Sequence, residues 1–211
     1  MSIDALLSGV SVYQDVVLDG RTVRRGARDC PARWQLLDAH LPRAGAILDV
    51  GSNFGWFGLQ ICQSRRECVV ASVEADLGSA EVQRAVLESN GCHRICLLTE
   101  RAGTRMVERM ARAGQRFDAV LCLAVLHWMA DHRRFLASLG RIAGRILIEQ
   151  PNPEEQGAGV TAIRREIGAA GPYLAGLFPD RPVQRVAQLP SHRDAAHARE
   201  LWLVAEPSGW P

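Results

Sequence analysis

Ala46-Ile47-Leu48-Asp49-Val50-Gly51-Ser52-Asn53-Phe54-Gly55-Trp56-Phe57-Gly58 is the stretch on which the reading of this chain turns. Its first five residues are a short apolar run of strand type, and a glycine-punctuated turn comes at once after them. The alternation continues outward: residues 68–73 form a second run closed by Glu74, 95–98 a third, 117–123 a fourth and 145–149 a fifth. The intervening segments carry helical periodicity. Val82, Ala85 and Val86 recur at i, i+3 and i+4 until Asn90-Gly91 stops the pattern, and Met106, Val107 and Met110 do the same before Gly114. Phe135, Leu136, Leu139 and Ile142 make the broadest apolar face, with Asp131 at its N-cap position. Strand–helix–strand units in series predict an α/β fold of Rossmann-like type, a mostly parallel sheet covered by helices on both faces.

The flanks differ from this core. Residues 1–43 precede the first strand and read as an N-terminal cap of loop-linked helices. After Gln150, Pro151-Asn152-Pro153 forces a loop and a helical stretch is expected around residues 161–170, while Pro172, Pro179 and Pro182 break up the chain from 171 to 182. Residues 183–189 and 200–205 suit a final hairpin at the sheet edge. The expected organisation is one domain over 1–211, with a cap (1–43), a core (44–150) and an insert plus hairpin (151–211).

Composition narrows the function. Hydrophobic residues at 47% and charged residues at 23% suit a globular protein, and a net charge of +2 argues against a nucleic-acid partner. All 25 basic residues are Arg, which excludes Schiff-base chemistry, the P-loop lysine and lysine-based RNA 2′-O methylation. No apolar stretch is long enough for a membrane span, and no basic residue precedes Arg21, unlike a signal peptide, so a cytoplasmic protein is expected. Cys92-His93-Arg94-Ile95-Cys96 matches no common zinc spacing, and no metal is expected.

Ligands of doubly wound sheets sit at the carboxyl ends of the strands. A dinucleotide site would want glycine at position 53, where backbone presses against a pyrophosphate; Asn53 stands there instead. A ligand without a pyrophosphate, such as S-adenosylmethionine (SAM), tolerates that side chain, and Gly51 and Gly55 would let backbone approach its methionyl part. Glu74, 23 residues after Gly51, can accept hydrogen bonds from both ribose hydroxyls.

Taken together, these features resemble the class I SAM-dependent methyltransferases: Asp49 to Phe57 matches their first motif, Glu74 their ribose acid and Phe117 to His127 their fourth-strand motif. The resemblance implies a seven-stranded sheet whose last strand is antiparallel. It also implies a cofactor site drawn from Asp49, Gly51, Ser52, Asn53, Gly55, Trp56, Phe57, Glu74, Ala75 and Leu123. A narrower resemblance lies outside the core. Val12-Tyr13-Gln14 and Ala27-Arg28-Asp29-Cys30-Pro31-Ala32-Arg33 are similar to the N-terminal signature of the methyltransferase half of bacterial O-antigen chain-terminating kinase–methyltransferases, which methylate a terminal phosphate. Leu126-His127 matches their first histidine, but Trp128 replaces the second and Ser52-Asn53 replaces Cys-Ala.

Individual residues take roles on this basis, each beside a packing alternative. Tyr13 is either a half-buried packing residue or a lid hydroxyl near the transferred methyl group. Arg28 and Arg33 either pair with Asp29 or hold the SAM carboxylate or an anionic acceptor. His127 either packs or acts as general base on a hydroxyl or amine, and Trp56 and Trp128 are core or ligand surfaces. His132, His192 and His197 carry no spacing that commands a role. The expected activity is methyl transfer from SAM to oxygen, or second to nitrogen, of a small molecule or glycan. The rivals are an RNA methyltransferase and a non-catalytic SAM-binding partner protein.

Overall fold

The computed structural model describes residues 3–155, 161–191 and 196–206. The chain divides into two compact units, one up to Ala102 and one from Gly103.

In the first unit, helix α1 (Ile3–Leu6) precedes a two-stranded antiparallel ribbon, β1 (Val16–Leu18) and β2 (Arg21–Arg24), and helix α2 (Cys30–Leu37) comes next. The cap is thus part ribbon rather than helices joined by loops. Its two-residue turn is Asp19-Gly20, with φ of 48° and 72°, the type I′ geometry that matches strand twist. Asn90 holds the ribbon down: its Nδ2 donates to the carbonyls of Val17 (2.8 Å) and Val86 (2.7 Å), and its Oδ1 accepts from the Gly20 N–H at 2.9 Å. Strand β3 (Ala44–Val50), helix α3 (Trp56–Ser64), strand β4 (Glu67–Glu74), helix α4 (Leu77–Ser89) and strand β5 (Ile95–Thr99) complete the unit. Its three long strands are parallel in the order β5-β4-β3. Ile47, Leu48 and Val50 on β3 and Val73 on β4 are all but inaccessible to solvent, as a sheet buried on both faces requires.

The second unit runs α5 (Thr104–Arg112), β6 (Phe117–Leu123), α6 (His132–Gly140), β7 (Ala143–Gln150), α7 (Thr161–Ile167), α8 (Ala170–Leu177), β8 (Val183–Pro190) and β9 (Ala198–Val204). Strands β6 and β7 are parallel, and β9 pairs antiparallel with both β7 and β8, so the expected terminal hairpin is present. Among the described residues the main sheet has seven strands and is mostly parallel, the Rossmann-like arrangement of the class I fold.

Two local details differ from expectation. Asp131 precedes α6, but its carboxylate accepts from the Thr104 hydroxyl at 2.5 Å instead of capping the helix. Pro172 does not break the chain; it lies in the first turn of α8, where its missing N–H has no intrahelical partner to lose.

Buried charge pins the end of β7 to β9. The Arg199 guanidinium donates to both carboxylate oxygens of Glu155 (2.9 and 2.6 Å) and to Glu149 at 3.4 Å, with all three side chains buried. Removing the cation takes the guanidinium away from two buried carboxylates. Arg199→Met should therefore cost about 3–5 kcal/mol, read as a melting temperature lower by roughly 6–20 °C. A melt within about 2 °C of the parent would show that the carboxylates are balanced elsewhere.

Candidate functional site

In the first unit the site is the turn between β3 and α3. Gly51 (φ 68°) and Ser52 both donate their N–H to the Val73 carbonyl, at 2.8 and 3.0 Å, so the turn hangs on the end of β4. Asn53 takes a left-handed φ of 53°, which asparagine among non-glycine residues tolerates best, and its backbone N–H donates to Glu74 Oε2 at 2.7 Å. The other Glu74 oxygen accepts from the Asp76 N–H at 2.8 Å. Asp76 in turn caps α4, its Oδ1 accepting from the Ser79 N–H at 2.7 Å. Glu74 is therefore an anchor of its own loop, and each oxygen keeps a lone pair for a further donor.

Gly55 is required by the protein itself. Its φ is 76°, and a Cβ there would stand 2.6 Å from the Gln83 side chain, so the space expected for ligand approach is filled by packing. Gln83 is fully buried, and its Oε1 accepts from the Ser52 hydroxyl at 2.8 Å. It sits on the apolar face that Ala80, Val82 and Val86 define, and an amide at such a position is the one signal in the sequence that marks it.

The N-terminal signature joins this turn. Gln14 Oε1 accepts from the Trp56 N–H at 3.1 Å, capping α3 from 42 residues away in sequence. Arg28 is buried, donates to the Tyr13 hydroxyl at 3.2 Å, and lies 5.4 Å from the ring centres of both Tyr13 and Phe57. Gly26 lies where a Cβ would overlap the Gln14 backbone, so residues 26–28 press directly on 13–14. Arg33 is also buried, and its guanidinium donates to the Asp29 carbonyl at 3.0 Å, while the Asp29 carboxylate caps α2. Trp56 is buried edge-on to Phe57, whereas Ala75 is exposed.

Asp49 closes β3 in full burial, and its Oδ2 has no hydrogen-bond partner among the described residues. Burial pushes its carboxyl up to about 7, with the Arg28 guanidinium pulling it down and the Glu74 carboxylate pushing it up. These residues suit SAM on three structural grounds. Asn53 places a Cβ where a pyrophosphate would need bare backbone. Glu74 retains acceptor capacity at the strand end. Asp49 offers an unpartnered acceptor to a cationic group such as the methionyl ammonium.

The second unit holds the remaining candidates. Leu123 ends β6, and Ala124 comes next in a left-handed φ of 60°, held by its N–H to the Glu149 carbonyl at 2.9 Å. A β-carbon in that region is strained, and such strain gathers at functional turns. It leads into a short 3-10 turn, Leu126–Trp128, on which His127 is buried and Trp128 half exposed, their rings 5.1 Å apart. His132 is buried on α6 with Nδ1 2.5 Å from the Tyr173 hydroxyl and Nε2 3.3 Å from Glu166. His192 lies outside the described residues. Among the described residues no helix is long and apolar enough to cross a membrane.

Two outcomes test the anchor and the buried acid without any ligand. Glu74→Ala removes the acceptor of two backbone N–H groups and should destabilise the protein by about 2 kcal/mol or more; Glu74→Gln, which keeps one carbonyl, should fall between it and the parent. Equal melts for all three would exclude the anchoring role. Asp49 works in the other direction. Below about pH 4 both folded and unfolded chains hold the Asp49 proton; above that the unfolded chain loses it first, so stability drains away up to about pH 7. Asp49→Asn should then melt at least about 5 °C above the parent at pH 8, with the gain vanishing near pH 4. A gain independent of pH would assign it to something other than ionisation.

Residues 48–145 match the model of a family described as a methyltransferase domain. No curated protein sequence matches the chain. Among solved structures, the crystal structure of WbdD superposes with a TM-score of 0.75 at 19% identity, covering 97% of this chain and 47% of that one. A second structure of the same protein, described as a bifunctional kinase-methyltransferase, gives 0.75 with 46% of its length covered. The chain thus spans about half the length of these WbdD chains. The N-terminal domain of EvdMO1, crystallised with SAH bound, gives a TM-score of 0.65 at 15% identity, covering 97% of this chain and 95% of that one. At these identities the structures speak for the fold, and the family match speaks for the activity of its segment. Residues 48–145 are thus similar to a methyltransferase domain, and the fold is the one that the WbdD and EvdMO1 structures share.

Proposed function

We propose that this protein transfers the SAM methyl group to a hydroxyl oxygen, and second to a nitrogen, of a small molecule or glycan in the bacterial cytoplasm. The observation that carries the reading is His127, buried on the turn that the strained Ala124 launches from the end of β6. SAM, when bound, supplies an electrophilic methyl group on a sulfonium that is already a good leaving group. The protein's own work is therefore to align the acceptor, exclude water and take up its proton. A hydroxyl ionises far above neutral pH, so a base must accept the proton as the methyl moves. With no lysine in the chain, His127 Nδ1 or Nε2 is the group assigned to this step. In the first unit, the free lone pairs of Glu74 are assigned to the ribose hydroxyls and Asp49 to the methionyl ammonium; in the second, Leu123 is assigned to the adenosine side. Arg28 orders the loop through its contacts with Tyr13 and Phe57.

A second reading comes from Arg28. An acceptor that is already ionised, a phosphate or carboxylate, needs no base and would be oriented by a guanidinium such as that of Arg28 or Arg33. The kinase-methyltransferase relatives in fold make this the natural rival.

His127→Ala separates the two. With a hydroxyl acceptor it should lower kcat at least about a hundredfold while SAM affinity stays within about twofold. Near-normal turnover on a hydroxyl acceptor would overturn the general-base role. With an ionised acceptor the loss is small, and Arg28→Ala instead raises the acceptor KM. For the cofactor, Glu74→Gln should weaken SAM binding at least about tenfold by calorimetry, beyond its effect on the melt; unaltered affinity would remove Glu74 from the site.

A further inference from the structure

Where β7 ends, the sheet carries a polar row that neither the fold nor the cofactor half uses. Gln150, Glu200 and Gln188 are cross-strand partners on β7, β9 and β8, so their side chains share one face. Gln150 is 3% exposed, and neither its amide nitrogen nor its amide oxygen has a hydrogen-bond partner among the described residues. A buried amide left in this state costs about 1–3 kcal/mol, a cost that cores built only for stability avoid.

The same three residues line a cavity of about 330 Å³, together with Asn152 of the adjoining loop and Ala169-Ala170 at the start of α8. Helix α8 has no side-chain cap, so the backbone N–H groups of Ala170 and Gly171 face outward from its first turn without an intrahelical acceptor. The wall thus presents donors (helix N–H, amide NH₂), acceptors (amide carbonyls) and one carboxylate. Glu200 Oε1 accepts from Arg185 at 3.2 Å and Oε2 from the Trp202 indole N–H at 3.1 Å, which hold that carboxylate in place. Gly171 fixes the helix against this row: a Cβ there would stand 2.5 Å from the Trp202 ring.

We propose that this cavity binds the neutral, polyhydroxylated part of the methyl acceptor, a saccharide ring. Hydroxyl groups donate and accept at once, and a set of amides, a carboxylate and helix N–H groups satisfies both functions. A phosphate finds less. Among the described residues lining the cavity none is a cation, and the neighbouring Arg185 is already held by Glu200. The assignment rests on the methyl-transfer reading.

The test uses the full chain, saturation-transfer NMR with neutral methyl hexopyranosides and with the corresponding hexose 1-phosphates, and SAH titration as a control. The neutral glycosides should show transfer, and the phosphates weaker transfer or none. Gln150→Leu should lower the glycoside signal at least fivefold, keep SAH affinity within twofold, and melt no lower than the parent, since an unsatisfied amide is replaced by an apolar group of similar size. The surface variant Gln188→Ala should lower the signal as well, with an unchanged fold. Transfer to the 1-phosphates equal to or above the glycosides overturns the neutral-ligand assignment. Absence of glycoside transfer while SAH still binds overturns the site, whereas loss of SAH binding in the parent overturns the cofactor reading beneath it. A Gln150→Leu variant that melts several degrees lower would show the amide to be structural and likewise overturn the proposal.

Discussion

Two backbone N–H groups converge on the Glu74 carboxylate, and the turns after β3 and β4 are organised by that convergence. Asn53 comes from the turn after β3 and Asp76 from the turn after β4, so one side chain ties two loop entries to a single strand end. The Val73 carbonyl beside it takes two further N–H groups from Gly51 and Ser52. A turn held at three points does not rearrange cheaply, and Asn53 keeps a left-handed φ because those bonds over-determine it. The donor geometry that a ligand meets is therefore built before the ligand arrives, which is where preorganised sites gain affinity.

Burial is used unequally around this turn. Asp49 sits in full burial with one oxygen unpartnered, and only the nearby Arg28 offsets the desolvation that pushes its carboxyl up. Glu149 and Glu155 are equally buried in the second unit but share the Arg199 guanidinium. The paired carboxylates hold structure; the other carries a desolvation penalty that Arg28 offsets only in part. The same contrast separates Gln83, whose amide oxygen is spent on Ser52, from Gln150, whose amide is spent on nothing described.

Much of this architecture is legible residue by residue. The apolar runs at 46–50, 68–73, 95–98, 117–123 and 145–149 each form a strand; 117–123 is matched end to end, and the other four are lengthened where the ladder continues into residues such as Ala44 and Glu67. The ribbon at Val16–Arg24 is not, although Asp19-Gly20 is a strong hairpin signal, because three- and four-residue strands with an exposed partner show no apolar periodicity. Pro172 misleads for a different reason: proline breaks a helix interior but begins one readily, and only the position of the helix start tells the two apart.

By itself the sequence determined the features that depend on neighbours along the chain: strand–helix alternation, a glycine turn bearing asparagine rather than glycine at its centre, an acid at the end of the next strand, and the absence of lysine. These are local in origin, so period and spacing suffice to read them. Tertiary structure alone decided that Gln14 caps α3 across 42 residues, that Gln83 rather than a ligand forbids a side chain at Gly55, and that Gln150, Gln188 and Glu200 stand in one row. Each of these depends on which residues meet after the strands pair, and on how far water is excluded when they do. Residue order specifies neither quantity until the chain has packed.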